Sequence, residues 1–240
     1  MKKVIVLLFF VQLSAHGLSQ VFFLQTQGGF GGYGMEELRE WNEWYLSRLP
    51  IQAEAVDEYP GRVEYKFAMG VSWDFADVGF SYGVRSTGAR YSMADYSGEY
   101  RCDYILNGFG PGLLAQLRLG SFGDFQLLLS NDLALLDTKL VLDESLVLWE
   151  EEVYQEDMTI RSKDVIWEPA LRLRYPMHPL AFDLYLGFAS QINGDGLFWT
   201  ASTNTYPLMM GQDPVHAQWN GVRFGASVLL KFAMKDQSSN

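Results

Sequence analysis

The sequence predicts an all-β chain: an eight-stranded antiparallel up-and-down barrel that crosses a membrane, with long extracellular loops and one short loop helix. Three observations predict it. Eight stretches alternate apolar residues with polar or small ones, which gives each strand one oily face and one wet face. The connections between these stretches run long, short, long, short, long, short, long, as they do when strands cross a bilayer with tight turns on one side. The chain also begins with an export signal, yet no later stretch reaches the length of apolar residues that a helical span requires.

The first nineteen residues carry Lys2 and Lys3, the apolar run from Val4 to Val11, and the small-residue segment Gly17-Leu18-Ser19. This is the pattern of a cleaved secretory signal peptide, and cleavage leaves Gln20 as the first mature residue. The domain reading is therefore a signal peptide over 1–19, a transmembrane barrel over 20–232 and a polar C-terminal tail over 233–240. Hydrophobic residues make up 48% of the 240, an ordinary globular value that a barrel shares because alternating strands average out. A formal net charge of −11 argues against nucleic acid, whose phosphates call for Lys and Arg. Cys102 is the only cysteine, so no intrachain disulfide forms.

Taken in order, residues 21–27 (Val-Phe-Phe-Leu-Gln-Thr-Gln) read as the first strand, and the glycine-rich segment from Gly28 to Gly34 as its flexible end. Residues 35–49 place Met35, Leu38, Trp41, Trp44, Tyr45 and Leu49 on one side of an amphipathic helix that Pro50 ends. Two placements fit it: packed across the barrel mouth, or lying in the membrane interface. Residues 61–74 alternate clearly, with Val63, Tyr65, Phe67, Met69, Val71 and Trp73 opposite Arg62, Glu64, Lys66, Ala68, Gly70 and Ser72. A turn at 74–77 leads back through Val78, Phe80, Tyr82 and Val84. A polar connection over 91–99 leads to a strand over 101–119, weakened by Pro111 because proline donates no ladder hydrogen bond. After a turn at 120–124, Phe125, Leu127 and Leu129 oppose Gln126, Leu128 and Ser130.

A long acidic connection follows, holding Asp143, Glu144, Glu150, Glu151, Glu152, Glu156 and Asp157. Trp167, Pro169, Leu171, Leu173 and Tyr175 then alternate with Glu168, Ala170, Arg172 and Arg174, and the Pro176–Pro179 turn leads to Phe182, Leu184, Leu186 and Phe188. A last long loop over 193–218 returns to the closing strand, where Val222, Phe224, Ala226, Val228, Leu230 and Phe232 share a face.

Alternation shows two unlike faces without saying which is inside. Three features put the polar face inward. It is rich in small residues (Gly70, Gly79, Ser81, Gly83, Gly187, Gly225, Ser227), which suit an eight-stranded interior just wide enough for side chains. It carries both signs of charge, so an internal ion-pair network is expected from Glu64, Lys66, Arg85, Arg118, Asp132, Glu168, Arg172, Arg174, Asp183, Arg223 and Lys231. Aromatics (Trp73, Phe75, Phe122, Phe125, Tyr175, Phe182, Phe232) gather where the apolar faces meet the short turns, as in an interfacial girdle.

The export signal, the eight alternating strands and the closing strand over 222–232 resemble small outer-membrane β-barrels of the OmpA/OmpX type. The resemblance covers residues 20–232 as architecture rather than as matched motifs. It implies the outer membrane of a Gram-negative envelope, with outer-membrane lipid and the barrel-insertion machinery as partners. It also implies a terminal aromatic read by that machinery; Phe232 is the match, and residues 233–240 continue past it.

Little chemistry is written into the chain. His178 sits in the Pro176–Pro179 turn and reads as structural. His216, with Asp213 nearby, is the one place where a histidine–carboxylate pair at the rim could activate a water or a hydroxyl, but no nucleophile motif flanks it. No catalytic residue, metal site or cofactor is assigned, and the acidic connection and Asn193-Gly194-Asp195-Gly196 match no calcium-loop spacing. Leu197, Phe198, Trp199, Met209 and Met210 form an apolar set in the last loop that either folds onto the rim or contacts another envelope protein. The expected function is a non-enzymatic outer-membrane barrel with a filled lumen, structural or a subunit of an envelope complex. The alternatives are a rim enzyme acting on lipid or peptide around His216, and a soluble lipocalin-like carrier with its apolar face inside.

Overall fold

The computed structural model describes residues 21–48, 54–96, 98–149, 151–201 and 204–233. The expected signal peptide lies outside these, as does the expected tail beyond Ala233. The chain runs β1 (Val21–Gly31), α1 (Glu36–Leu46), β2 (Glu54–Glu58), β3 (Arg62–Ser72), β4 (Ala76–Asp95), β5 (Gly98–Phe122), β6 (Phe125–Leu148), β7 (Glu151–Met177), β8 (Leu180–Gly194), β9 (Phe198–Ala201), β10 (Asn204–Pro207), β11 (Met209–Met210), β12 (Asp213–Pro214) and β13 (Gly221–Ala233). Antiparallel pairing passes from β1 through β3, β4, β5, β6, β7 and β8 to β13, and β13 pairs with β1 again, so eight strands form a ring. The first and last strands meet along an unbroken register from Val21↔Ala233 to Gly31↔Arg223.

Inside and outside follow the expected parity. Phe67 and Phe224 are 60% and 52% exposed on the outer face, whereas Lys66 and Arg172 are buried within the ring. Small residues let the strands close around that interior. A methyl on Gly70 would lie 2.1 Å from the Val78 carbonyl oxygen, and one on Gly29 would lie 2.7 Å from the Phe224 carbonyl oxygen and overlap the Tyr185 hydroxyl. Pro111 does stand in β5, opposite Tyr82, but the β5–β6 ladder skips Gly110 and Pro111, as a missing donor requires.

Two expected loops are strand instead. The connection expected over 91–99 narrows to a tight turn, because β4 runs to Asp95 and β5 starts at Gly98. The acidic connection over 143–157 is likewise the end of the β6–β7 hairpin, with Asp143 paired to Asp157 and Glu144 to Glu156. The physical reason is a change of phase. Along the lower part of β6 the apolar residues Leu133 and Leu135 face out and Ser130 and Asp132 face in. Beyond Leu135 the order inverts: Leu136, Leu140 and Leu142 are buried inside, while Asp137, Lys139 and Asp143 face out. In β7, Ile160 and Ile166 are buried inside, while Arg161 and Lys163 are exposed. Asp137 and Asp143 thus lie on the outer face of a strand rather than in a loop, and Glu144 is buried inside, accepting hydrogen bonds from Tyr45 and Tyr100.

The overhang of β4 to β7 is closed by α1 and by the segment from Gly194 to Gly221. Leu38, Trp41 and Asn42 of α1 are buried, and the helix joins a core with Tyr59, Tyr91, Tyr104, Leu140, Ile160 and Trp219. The helix therefore takes the first of its two expected placements, across the mouth of the ring. Its starting residue, Met35, has positive φ (50°), and the helix has no side-chain N-cap. Its N-terminus is held from outside, by Met35 N–H donating to the Gln218 carbonyl and Glu36 N–H donating to the Gln218 side chain.

Candidate functional site

The interior of the ring is built in tiers. Nearest the short turns, Arg174 is almost wholly buried and forms a fork: Nε and Nη2 donate to the two Asp183 carboxylate oxygens at 2.7 and 3.0 Å, and Nη1 donates to Asp77 at 2.5 Å. Its Nη2 also donates to Gln116, whose amide donates to Gln25. Lys231 lies 3.6 Å from Asp77 and donates to Ser72. An apolar layer of Phe23, Ala68, Leu114, Ala181 and Leu229 packs among these groups. One tier up, Arg172 donates to Gln27 at 2.5 Å and stands 3.8 Å from Asp183, stacked over the Tyr185 ring.

The middle tier joins Lys66 to both Asp132, at 2.7 Å, and Glu168; Arg85 holds the other Glu168 oxygen at 2.6 Å. Arg223 Nε lies 3.2 Å from Glu64 Oε2, an ion-pair distance without hydrogen-bond alignment, so both atoms are left without a hydrogen bond. The Arg223 guanidinium instead donates to the Gly32 and Trp219 carbonyls and stacks over Tyr33, tying the ring to its cap. Ten of the eleven residues named from sequence thus lie in ion pairs. Arg118 is the exception: it is half-buried near a short turn, outside the ion pairs of the described residues. Sequence reasoning omitted Asp77, Gln25, Gln27, Gln116 and Tyr185. All share the inward parity of residues that were named, so counting by twos would have found them.

Six cations (Lys66, Arg85, Arg172, Arg174, Arg223, Lys231) face five carboxylates (Glu64, Asp77, Asp132, Glu168, Asp183), so the interior is nearly neutral although the chain carries −11. The space left among Gln27, Glu64, Lys66, Asp132, Glu168 and Arg172 is about 10 Å³, at most one water. At this level the lumen is packed with side chains.

Above the tiers, Asp164 accepts hydrogen bonds from Thr138 at 2.7 Å, Ser162 at 2.9 Å and Gln191 at 2.9 Å. Burial raises its carboxyl to about 6, against the opposing effect of the two hydroxyl hydrogen bonds. Burial also pushes the Cys102 thiol up to about 11, which keeps it an unreactive core residue. On the outer face, Asp103 is held below its ordinary value: burial opposes ionisation, but hydrogen bonds from Arg90 and Arg101 outweigh it.

His216 meets a carboxylate other than Asp213. Its Nδ1 is 2.9 Å from Glu37 Oε2, its backbone N–H donates to the same oxygen at 2.8 Å, and Gln218 donates to Glu37 Oε1 at 2.7 Å. Glu37 therefore clamps the last loop to α1. Among the described residues no hydroxyl or thiol joins the pair to serve as a nucleophile, and no cluster of three or more His, Cys, Asp or Glu is placed to hold a metal ion. Of the apolar set in the last loop, Leu197 is fully buried, Trp199 and Met210 pack against the same core, and Phe198 and Met209 are half-buried.

No family model matches the chain, and no curated protein matches it. Among solved structures, Neisserial surface protein A (NspA) is similar over 88% of this chain and 97% of its own, at 11% identity and a TM-score of 0.40. Ail, the attachment invasion locus protein of Yersinia pestis, is similar over 89% of this chain and 97% of its own, at 8% identity and a TM-score of 0.34.

Proposed function

We propose that this chain is an integral outer-membrane β-barrel whose filled lumen serves rigidity rather than transport, acting as a structural protein or a subunit of an envelope complex. One observation carries the reading: an apolar band circles the outer face while the charges lie inside. From Val222 to Phe232 the outward residues of β13 are apolar. Ten residue steps at about 3.4 Å, tilted by about 40°, give a height of roughly 26 Å, close to the apolar band of a bilayer-spanning barrel. Aromatics line its short-turn edge, with Phe125 stacked on Phe122 (6.1 Å) and tilted against Tyr175 (5.4 Å). A continuous apolar surface of this extent is untenable in water. A lipocalin-like carrier would need the opposite facing and a ligand cavity where the ion pairs stand.

The test is fractionation of cells expressing the full chain, followed by gel migration of unheated and boiled samples. Recovery in the detergent-extracted outer membrane with heat-modifiable migration is expected. Recovery in the soluble periplasmic fraction without detergent overturns the proposal.

A further inference from the structure

We infer that the outer face of the β6–β7 hairpin, just beyond the apolar band, binds the phosphate groups of anionic membrane lipid. The inference rests on the membrane reading above and adds a ligand to it. On these two strands the outward residues fall into three strata. Leu133, Leu135, Val165 and Trp167 form the upper edge of the apolar band. Immediately beyond it stand Lys139, Arg161 and Lys163, with Lys139 directly across the ladder from Arg161 and Lys163 across from Asp137. Further out on β6 stands Asp143, beside Asp103 of β5, which Arg90 and Arg101 already pair.

Cross-strand neighbours on one face sit about 5 Å apart at Cβ, so three cations crowd one small area in which Asp137 stands directly opposite Lys163 only. Within the ring the cations pair with carboxylates, but none of these three lies in an ion pair with a described residue. Their height matters more than their number: they occupy the level where lipid headgroups meet a barrel wall. A groove of about 400 Å³ opens beside them where β8 parts from β7, lined by Leu135, Val165, Asp137, Lys163, Asn193 and Asp195. It straddles the apolar and polar strata, as a lipid does. Three acids, Asp137, Asp164 and Asp195, line that groove and weaken anion binding there, so the phosphate belongs toward Lys139 and Arg161.

The test uses the full chain in zwitterionic detergent micelles, titrated with phosphatidylglycerol, phosphatidylcholine or inorganic phosphate, with bound molecules counted by native mass spectrometry. Near an anionic lipid surface each basic side chain contributes roughly fivefold in affinity, so the K139Q/R161Q/K163Q variant should lose about a hundredfold in phosphatidylglycerol binding and its preference over phosphatidylcholine. Asp137→Asn removes the opposing acid and should tighten phosphatidylglycerol binding several-fold, which keeps the idea testable if the triple variant does not fold. A triple variant that retains the preference, an Asp137→Asn variant that binds no tighter, or inorganic phosphate that competes as well as the lipid would each overturn the inference. Failure of the wild-type chain to float with vesicles would instead remove the membrane reading, and this inference with it.

Discussion

Replacing Arg174 by methionine removes the cation that Asp183 and Asp77 share. Both carboxylates are at most 2% exposed, so neither recovers its lost partner from water. Asp183 keeps only Arg172 at 3.8 Å with the Gln25 and Ser227 hydrogen bonds, and Asp77 keeps Lys231 at 3.6 Å and Ser72. Breaking a buried pair by removing one partner costs about 3–5 kcal/mol, and these remaining contacts place R174M toward the low end, about 3 kcal/mol. Urea unfolding of the barrel in detergent micelles, followed by tryptophan fluorescence, measures it. R174M/D183L replaces the pair with apolar side chains and should recover most of the loss, because the uncompensated charge rather than the missing attraction carries the cost. Arg118→Met, at the half-buried arginine outside the ion pairs, should change stability by less than about 1 kcal/mol. If R174M matches R118M, or the double variant is less stable than R174M, the reading of the lumen as a mutually satisfied ion network is wrong.

Phe67→Arg places a charge mid-band on the outer face and should cost about 2–4 kcal/mol in vesicles, measured by the same unfolding assay; a neutral result would place that face in water. Asp164, whose carboxyl is raised from 3.8 to about 6, binds its proton more tightly folded than unfolded. Its contribution is therefore greatest at low pH and is lost as pH climbs through about 6, a difference of at most roughly 3 kcal/mol (2.2 pH units at 1.36 kcal/mol each). Asp164→Asn should flatten that fall between pH 4 and 7 in roughly this measure, read from unfolding midpoints. Glu37→Ala should leave barrel unfolding unchanged while releasing the loop around His216, detected as faster proteolysis and hydrogen exchange there. Gly29→Val meets the Phe224 carbonyl and the Tyr185 hydroxyl and should prevent the heat-modifiable folded form.

Parity was the part of the fold most open to reading. Once Val222, Phe224, Val228 and Phe232 face out, Arg223, Ser227 and Lys231 must face in, and the register with β1 has to keep the apolar residues of both strands on the same face. The same rule concealed the upper third. There the apolar residues change sides, from the outer face to the inner one, so Leu140, Leu142 and Ile160 alternate out of phase with Leu133 and Leu135. A reading that expected one phase throughout saw irregularity and assigned loops. The contact between Glu37 and His216 was beyond sequence for a different reason: 179 residues separate them, and only the closure of the ring brings α1 beneath the last loop.

The seam between β1 and β13 has a bearing on biogenesis. Every other neighbouring pair in the ring can zip as soon as its later strand emerges, but this one joins the first strand of the ring to the last. Until β13 pairs, the growing sheet is an open ribbon with two margins, β1 and β8, on which eleven and ten residues of strand lack a neighbour. A chain cut short by one strand would not be a slightly weaker cylinder; it would be a sheet with adhesive borders, drawn to the nearest other strand.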